Sequence, residues 1–269
     1  MAVVGKVESL WRYPVKSMRG EEITQSYLGY SGVYGDRLYA VHDRSAPEGF
    51  PFLTGREQEQ MLLYQPKFRH PEHAANPPNL AEAESNELGL TPVYADTADL
   101  AVDIQTPSGE VLAIDDPALI TRLAQGLDRS HPLSLLRSHR SFTDCRPVSI
   151  FSMQTMRQIG EEVGFALDKR RFRANIYADL APMDGFAENA FVGRKLQIGT
   201  KAVIAITDRD PRCKMITLDP NTAEARPELL RTVRDRHEGK AGLYGAMLVE
   251  GTVRPGDEIR LLESDQNRE

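Results

Sequence analysis

The segment DRDPRCKMITLDP, residues 208–220, follows the apolar run AVIAITD, whose composition is typical of a β-strand. It contains Cys213, one of only two cysteines in 269 residues. Arg212 precedes this cysteine directly, and a neighbouring guanidinium favours the thiolate, which is both a nucleophile and a soft metal ligand. Arg209 and Lys214 add further positive charge. The alternative is a small buried hydrophobe, because unpaired cysteine is among the most buried residue types.

Short β-rich segments separated by Gly, Pro and Asp lie on both sides of this segment. Those before it include VVGKVESLWRY, RLYAVHD, LAVDIQT, EVLAI and PVSIFS; those after it are GAMLVEG and DEIRLL. Helices are predicted in DDPALITRLAQGLD, with Asp116 as N-cap, from Ser152 onward, and in PELLRTVRDRH. Residues 65–92 are polar and rich in Pro and Asn, which predicts a long loop with one helical turn. The sequence therefore predicts a mostly β fold with some α (α+β) and a barrel or sandwich core.

Composition excludes several classes of partner. The formal net charge of -6 gives no overall attraction to nucleic acid. No window reaches the roughly 20 apolar residues of a membrane-spanning helix, and the first residues do not resemble a signal peptide, so we expect a cytoplasmic protein with no membrane partner. The two cysteines match no CxxC spacing, which predicts free thiols and no iron-sulfur cluster. Electrons for any redox reaction must come from another protein.

Two further clusters carry basic residues on turns or strands. In LWRYPVKSMRGEEI, Pro14 and Gly20 flank Lys16 and Ser17, which together with Arg37 suit a phosphate site, although basic residues on turns are often only solvated. In RRFRANIYAD, the i, i+2 spacing of Arg173 and Asn175 places both on one face of a predicted strand, and Arg171 shares that face. A protected edge strand is the alternative for this second cluster.

Together these clusters resemble the MOSC family, which is named for the C-terminal domain of molybdenum cofactor sulfurase. The resemblance is to its two-part members and covers nearly the whole chain. It rests on SLWRYPVKSMRG, GDRLYAVHD and FLTGRE for an N-terminal domain, and on RPVSIFSMQTM, RFRANIYAD, RCKMITLDPNT and GAMLVEGTVRPGDEIRLL for a C-terminal domain. It implies an N-terminal MOSC β-barrel domain, residues 1–128, packed on a C-terminal MOSC β-barrel domain, residues 129–269, with peripheral helices.

The resemblance also implies a role for each matched residue. Cys213 matches the thiolate that ligates molybdenum in the molybdenum cofactor (molybdopterin) of amidoxime-reducing relatives. The other matched positions bind that cofactor: Lys16, Ser17 and Arg37 at its phosphate, Arg173 and Asn175 at the pterin, and Arg212 beside the metal ligand. Two positions depart from the family pattern. Ile216 replaces a threonine. The segment DCRP, residues 144–147, replaces small hydroxyl residues near the cofactor, so its Cys145 faces the same pocket or, as we favour, lies in the core.

The function implied is that of a molybdenum cofactor-dependent oxidoreductase. Its substrates would be small N-hydroxylated compounds such as amidoximes, hydroxylamines or hydroxylated nucleobases, with a ferredoxin, flavin reductase or cytochrome as external electron donor. The alternative is a non-catalytic carrier of the cofactor or of a persulfide at Cys213. A third hypothesis pairs Cys213 with His237 or His139 in a thiol hydrolase. Pyridoxal phosphate is not expected, because no aminotransferase-like domain fits in the chain, and the family's iron-sulfur domain is not expected either.

Overall fold

The computed structural model describes residues 1–128 and 131–263. Its strands are β1 (Ala2–Arg12), β2 (Glu21–Ile23), β3 (Ser26–Gly29), β4 (Gly32–Val33), β5 (Tyr39–His42), β6 (Phe52–Leu53), β7 (Gln65–Phe68), β8 (Val102–Gln105), β9 (Val111–Ala113), β10 (Ser134–Arg137), β11 (Val148–Ser152), β12 (Ile176–Asp179), β13 (Lys195–Ile198), β14 (Ala202–Pro211), β15 (Lys240–Val249), β16 (Gly251–Val253) and β17 (Glu258–Leu261). Its α-helices are α1 (Pro71–Ala75), α2 (Leu80–Ser85), α3 (Pro117–Leu123), α4 (Met153–Val163) and α5 (Pro227–His237). Short 3-10 helices span Glu59–Leu63, Lys169–Phe172, Ala187–Phe191 and Lys214–Thr217.

A closed barrel of seven strands forms the larger sheet. The strand order is β12-β11-β15-β14-β13-β17-β1, and β1 pairs again with β12, which closes the barrel. Only β11 and β12 run parallel within it. Alternating apolar residues point into the barrel, as in β14, where Val203, Ala205 and Thr207 are less buried than Ile204 and Ile206 between them. Closure leaves the barrel without the unpaired edges that an open sheet exposes.

Three small three-stranded sheets build the rest of the molecule. Their orders are β10-β5-β6, β16-β3-β4 and β7-β8-β9. A second apolar cluster, which includes Leu38, Leu53, Met61, Leu100 and Ile104, lies between α3 and the sheets β10-β5-β6 and β7-β8-β9, whereas Leu28, Val33 and Val253 of β16-β3-β4 belong to the apolar cluster of the barrel. The mostly β fold with peripheral helices is confirmed.

The two halves of the chain exchange strands. β1, from the first half, is a strand of the barrel and β2 pairs with it, whereas β10 and β16, from the second half, pair with β5 and β3. The predicted boundary between residues 128 and 129 stays a prediction, and residues 129–130 lie outside the described residues. Strand pairing across that position makes the two halves mutually dependent.

All three predicted helices form, and their caps explain where two of them begin. Asp116 accepts a hydrogen bond from the amide of Ala118, and Pro117 occupies the first position of α3. Ser152 accepts from the amides of Gln154 and Thr155 at 3.2 Å at the start of α4. α5 begins at a proline with no side-chain cap.

Two predictions about local structure are wrong. Residues 65–92 are not one long loop: β7, α1 and α2 lie within them, because Gln65–Phe68 pairs with β8 and each helix begins near a proline-containing turn. The strand predicted for RFRAN is also absent. Residues 169–172 form a 3-10 helix, and Arg173 closes it in the left-handed conformation, with a φ of 53°. β12 begins only at Ile176.

Candidate functional site

All seven predicted site residues line one cleft. It lies at the end of β14, where the loop after β1, the turn before β5, residues 143–149 and residues 171–175 meet. The predicted residues in its walls are Lys16, Ser17, Arg37, Arg173, Asn175, Arg212 and Cys213. The cleft is narrow, with a volume of about 80 Å³.

Lys16 is held at the cleft by contacts to three segments. Its amide donates to Tyr39 O at 2.8 Å, which fixes the loop after β1 against β5. Its Nζ donates to Phe142 O at 2.8 Å and forms an ion pair with Asp144. The ammonium also lies 4.9 Å from the ring centroid of Phe50. Burial lowers the pKa of Lys16 and the charge of Asp144 opposes this, so an anion in the cleft would strengthen the protonated form.

Arg37 and Arg173 lie over the same aromatic ring. Their guanidinium carbons are 4.8 Å and 4.4 Å from the ring centroid of the buried Tyr13. Arg37 is paired with Asp36, whereas Arg173 Nη2 is buried without a hydrogen-bond partner among the described residues. Two guanidinium groups so close together repel each other, so this arrangement favours a negatively charged ligand between or beside them.

Three residues of the cleft have left-handed backbone. The φ angles are 66° at Ser17, 46° at Arg37 and 53° at Arg173. Left-handed backbone at a non-glycine residue costs on the order of 1 kcal/mol, and such residues cluster at functional sites. The backbone amides of Arg37 and Arg173 are engaged at these turns, because they donate to Tyr13 O at 2.7 Å and to Arg170 O at 3.3 Å.

Asn175 links three parts of the barrel rather than presenting a free amide. Its Oδ1 accepts from Ser149 Oγ at 3.1 Å, and its Nδ2 donates to Trp11 O at 3.3 Å. The side chain is 1% exposed. It therefore fixes β1 to β11 just before β12 begins, and its predicted contact with a pterin stays a prediction.

Arg212 and Cys213 follow the last residue of β14. Nε of Arg212 donates to Ala241 O at 2.7 Å and Nη1 donates to Phe172 O at 2.9 Å, while Nη2 lies 2.9 Å from Asp210 Oδ2. This buried guanidinium is thus used to hold the cleft wall, and its predicted contact with a cofactor stays a prediction. Cys213 precedes the 3-10 helix Lys214–Thr217 and is partly exposed. The thiol is accessible from the cleft.

Several neighbouring residues are placed differently from the sequence interpretation. Cys145 is exposed, so the favoured core position is wrong, and it does not line the cleft. Arg209 pairs with Glu238 and Lys214 pairs with Glu59, and both lie outside the lining. Arg171 lines the cleft, but its guanidinium donates to Thr217 O and Asp219.

The proposed thiol–histidine pairs are not formed. His237 lies 2.7 Å from Glu162 and stacks on Phe186, and His139 stacks on Tyr94. Neither histidine lines the cleft with Cys213. His73 lies 3.2 Å from Asp99 in an exposed position. Within residues 1–128 and 131–263, no group of three or more His, Cys, Asp or Glu side chains is arranged to hold a metal ion.

Sequence reasoning missed two acidic residues and a tyrosine of the cleft. Asp144 lies in the segment DCRP, which the sequence marked only as a departure from the family pattern. Asp210 is 3% exposed and pairs with Arg212, and Tyr244 hydrogen bonds to it from β15. Burial raises the pKa of Asp210 to about 6, although Arg212 and Tyr244 oppose the shift. The only sequence feature that could have indicated Asp210 as a cleft residue is its position three residues before Cys213.

The charges of the cleft are unequal. Seven basic side chains line it, against two carboxylates; the basic ones are Lys16, Arg37, Arg56, Arg146, Arg171, Arg173 and Arg212. Such a cleft concentrates positive potential in a protein whose net charge is negative. The arrangement can bind an anionic group deeply and present a thiol to it.

Comparisons with known proteins agree with this architecture. The model of the MOSC N-terminal β-barrel domain matches residues 4–116, and the model of the MOSC domain matches residues 137–260. The human mitochondrial amidoxime-reducing component 1 is 24% identical over 96% of this chain and 83% of its own length. The mitochondrial amidoxime reducing component 2 of Bos taurus is 25% identical over 95% of this chain and 83% of its own length.

Solved structures were also compared with the chain. The YUAD protein from Bacillus subtilis covers 95% of this chain and 93% of its own, with a TM-score of 0.44 and 13% identity. YiiM from Geobacillus stearothermophilus covers 45% of this chain and 57% of its own, with a TM-score of 0.36 and 20% identity.

The fold and the cleft define a two-domain β-barrel protein with a basic, thiol-containing site. The two family models together span nearly all of the described chain, and the chain belongs to the MOSC family. It has the two-part architecture, with an N-terminal MOSC β-barrel domain ahead of the MOSC domain, as the sequence predicted. Among residues 1–128 and 131–263, no helix has the length and apolar character required to cross a membrane.

Proposed function

We propose that this protein binds a molybdenum cofactor in the cleft and reduces N-hydroxylated compounds with electrons from a separate redox protein. The observation that carries the proposal is the convergence of seven residues, predicted from separate segments, on one basic cleft with Cys213 in its wall. The amidoxime-reducing relatives supply the reaction class.

The residues of the cleft fit an anionic pterin. Arg173 Nη2 is buried without a partner, Lys16 is held by a single carboxylate, and Arg37 is 13% exposed beside Asp36. A phosphate would replace Asp144 as the counter-ion of Lys16 and would receive hydrogen bonds from the arginines. Cys213 would supply one thiolate ligand to the metal, the role that the resemblance implies for this position.

When bound, the cofactor would supply the two-electron chemistry that removes oxygen from an N–OH group. The residues of the chain bind and orient the reactants. Lys16, Ser17 and Arg37 would fix the phosphate, and Arg173 would neutralise charge above Tyr13. Phe172 and Ile216, both buried in the wall, exclude water from the thiol side of the cleft.

The external electron donor belongs to the same proposal. A ferredoxin, a flavin reductase or a cytochrome would deliver electrons from outside the chain. Mixing the molybdenum-loaded protein with each purified donor and an aromatic amidoxime identifies the donor, because only the correct one supports steady-state turnover.

The direct test is the molybdenum and pterin content of the chain purified from cells that make the cofactor. We expect nearly one molybdenum per chain in the wild type. Cys213→Ser should retain pterin but alter the metal spectrum, whereas Cys145→Ser serves as the matched control and should resemble the wild type. Lys16→Ala with Arg37→Ala should lose the pterin, and Lys67→Ala, an exposed lysine bonded to Gln105, should not.

The same preparation distinguishes the alternative functions. A protein that holds molybdenum and pterin yet never reoxidises with amidoximes or hydroxylamines is not a reductase. If all preparations lack the cofactor while cofactor synthesis is active, persulfide transfer at Cys213 becomes the better explanation, and intact mass after exposure to a sulfur donor then tests it.

A further inference from the structure

The buried Asp210 and the partly exposed Tyr244 form a hydrogen-bonded acidic pair that the proposed chemistry has not yet used. Asp210 is the penultimate residue of β14, just before Pro211, and Tyr244 reaches it from the neighbouring strand β15. Both line the cleft together with Cys213. Asp210 is 3% exposed. Burying a carboxylate costs free energy, so a buried one is usually paired with a cation, protonated or part of a functional site.

Four charged or titratable groups determine the protonation of Asp210. Arg212 faces it at 2.9 Å and Tyr244 donates a hydrogen bond, and both favour the carboxylate. The more distant Asp144 disfavours the carboxylate and Arg37 favours it. Burial outweighs these opposing effects and brings the pKa to about 6, so that the protonated form exists near neutral pH.

Arg212 is not free to neutralise Asp210 completely, because it is shared. Its Nε and Nη1 donate to the carbonyls of Ala241 and Phe172, which fix the guanidinium in the wall of the cleft. Asp210 meets only the remaining Nη2. The pair therefore keeps the carboxyl group in place while leaving it able to exchange a proton with the cleft.

We propose that Asp210 is the acid that protonates the departing oxygen of the N-hydroxylated substrate, and that Tyr244 positions it. The inference rests on the proposed function. In the balanced reaction, R–NHOH with two electrons and two protons gives R–NH2 and water. The N–O bond breaks, the redox partner supplies the two electrons, Asp210 supplies the proton that goes to oxygen, and water supplies the proton that goes to nitrogen.

A general acid of this kind predicts the direction of the pH dependence. Turnover is sustained below the pKa of Asp210 and declines as the pH rises through it, because the protonated carboxyl group is lost. Tyr244→Phe removes a hydrogen bond that stabilises the carboxylate. The declining limb of the profile should therefore move to higher pH in that variant.

The experiment uses the full chain loaded with cofactor, an aromatic amidoxime and a chemical or protein electron donor. Asp210→Asn should lower kcat at least about 100-fold, in the range for loss of a general acid, with molybdenum and pterin content unchanged. Asp235→Asn is the matched control, because Asp235 also pairs with an arginine but lies exposed on α5. It should keep the wild-type kcat and pH profile.

A second readout does not depend on turnover. Infrared difference spectra of the wild type against Asp210→Asn, with isotopically labelled aspartate, report the titration of this one carboxyl group. We expect a protonated band that disappears near pH 6 and persists to higher pH in Tyr244→Phe. A carboxyl group that is ionised throughout the range from pH 4 upward overturns the inference.

The outcomes separate the inference from the proposed function. If the loaded wild type reduces no N-hydroxylated compound, the function fails and the inference fails with it. If the wild type is active and Asp210→Asn keeps its kcat and its pH profile, only the inference fails. Loss of activity in proportion to lost molybdenum also overturns it, because that result assigns Asp210 a structural role.

Discussion

Lys16 illustrates how one residue can prepare a site for an anion. Its ammonium is buried, lies near two aromatic rings and has Asp144 as its carboxylate partner. The pKa of Asp144 is lowered: burial alone would raise it, but Lys16, Arg37 and Arg56 together outweigh that effect. Asp144 thus neutralises the Lys16 ammonium in the way that a bound anion would.

We predict that Asp144→Asn increases the affinity of the cofactor-free chain for inorganic phosphate several-fold. The substitution removes the negative charge that competes for Lys16 and repels the ligand. Isothermal titration calorimetry measures the change, and Asp99→Asn, remote from the cleft, is the control. Weaker phosphate binding in Asp144→Asn would mean that the aspartate positions Lys16 rather than competing with the anion.

We predict that replacing Asn175 lowers the free energy of unfolding of the protein even when no ligand is bound. Asn175→Ala leaves Trp11 O without its donor and Ser149 without its acceptor inside the barrel, at a cost of about 3 kcal/mol. Urea unfolding of the cofactor-free protein measures this cost. Asn221→Ala is the control, since Asn221 meets Arg170 at the exposed surface. Equal stability of the two variants would show that Asn175 serves the ligand alone.

At the scale of elements, α4 and α5 are joined near their C-terminal ends. His237, the last residue of α5, lies 2.7 Å from Glu162 near the end of α4, and Phe186 stacks on the imidazole. The pKa of Glu162 is lowered: burial opposes the shift, but the hydrogen bonds from Gln158 and His237 outweigh it. The pair holds the two helices together against the barrel.

Because the pKa of Glu162 is lowered in the folded protein, its carboxylate stabilises the fold more at neutral than at acidic pH. The contribution of Glu162 is complete above its unfolded pKa, about 4.3, and is lost as the pH falls through the lower folded value. Glu162→Gln should therefore lower the free energy of unfolding by about 1 kcal/mol at pH 7 and much less near pH 3. Glu161→Gln, the exposed neighbour, should change it little at either pH. A difference that does not vary with pH would show that the ionised carboxylate of Glu162 is not the cause.

Elements with strong local signals were predictable, and those set by distant contacts were not. Asp116 and Ser152 mark helix starts because a cap is made within three residues. β7 was missed because Gln65, Pro66 and Lys67 lack strand character and pair with β8 nearly forty residues later. Arg173 was misplaced because the sequence did not indicate the 3-10 helix Lys169–Phe172, which Arg173 ends in the left-handed conformation.

The candidate site was predictable only in part, for a similar reason. The positions of Lys16, Arg37 and Cys213 followed from recognisable motifs. Their charge partners Asp144 and Asp210 could not be predicted, because many carboxylates stand near basic residues in a sequence without contacting them. Only the fold shows that both aspartates line the same cleft. The same limit applies to Cys145, whose exposed position is not encoded in its neighbours.

At the scale of the whole molecule, the exchanged strands predict a single cooperative unit. The N-terminal half contributes β1 to the barrel, and the C-terminal half contributes β10 and β16 to the smaller sheets. Neither half is complete by itself. This arrangement differs from that of two domains joined by a linker, which unfold separately.

We therefore expect one unfolding transition. Fluorescence of Trp11, the single tryptophan, reports on β1 in the barrel, and far-UV circular dichroism reports on the whole chain. Their denaturation midpoints should coincide. Fragments 1–128 and 129–269, expressed separately, should show no cooperative transition. Two separated midpoints, or an independently folded fragment, would contradict the mutual dependence of the halves.

The double pairing of β1 has a consequence for biosynthesis. After its synthesis, β1 must wait for β12 and finally for β17, about 250 residues later, before both of its sides are paired. A ribosome adds only about 5–20 residues per second, so β1 remains without its final neighbour for many seconds. Chains of such high contact order close slowly. Barrel completion, and with it the assembly of the cleft, therefore cannot precede the synthesis of β17.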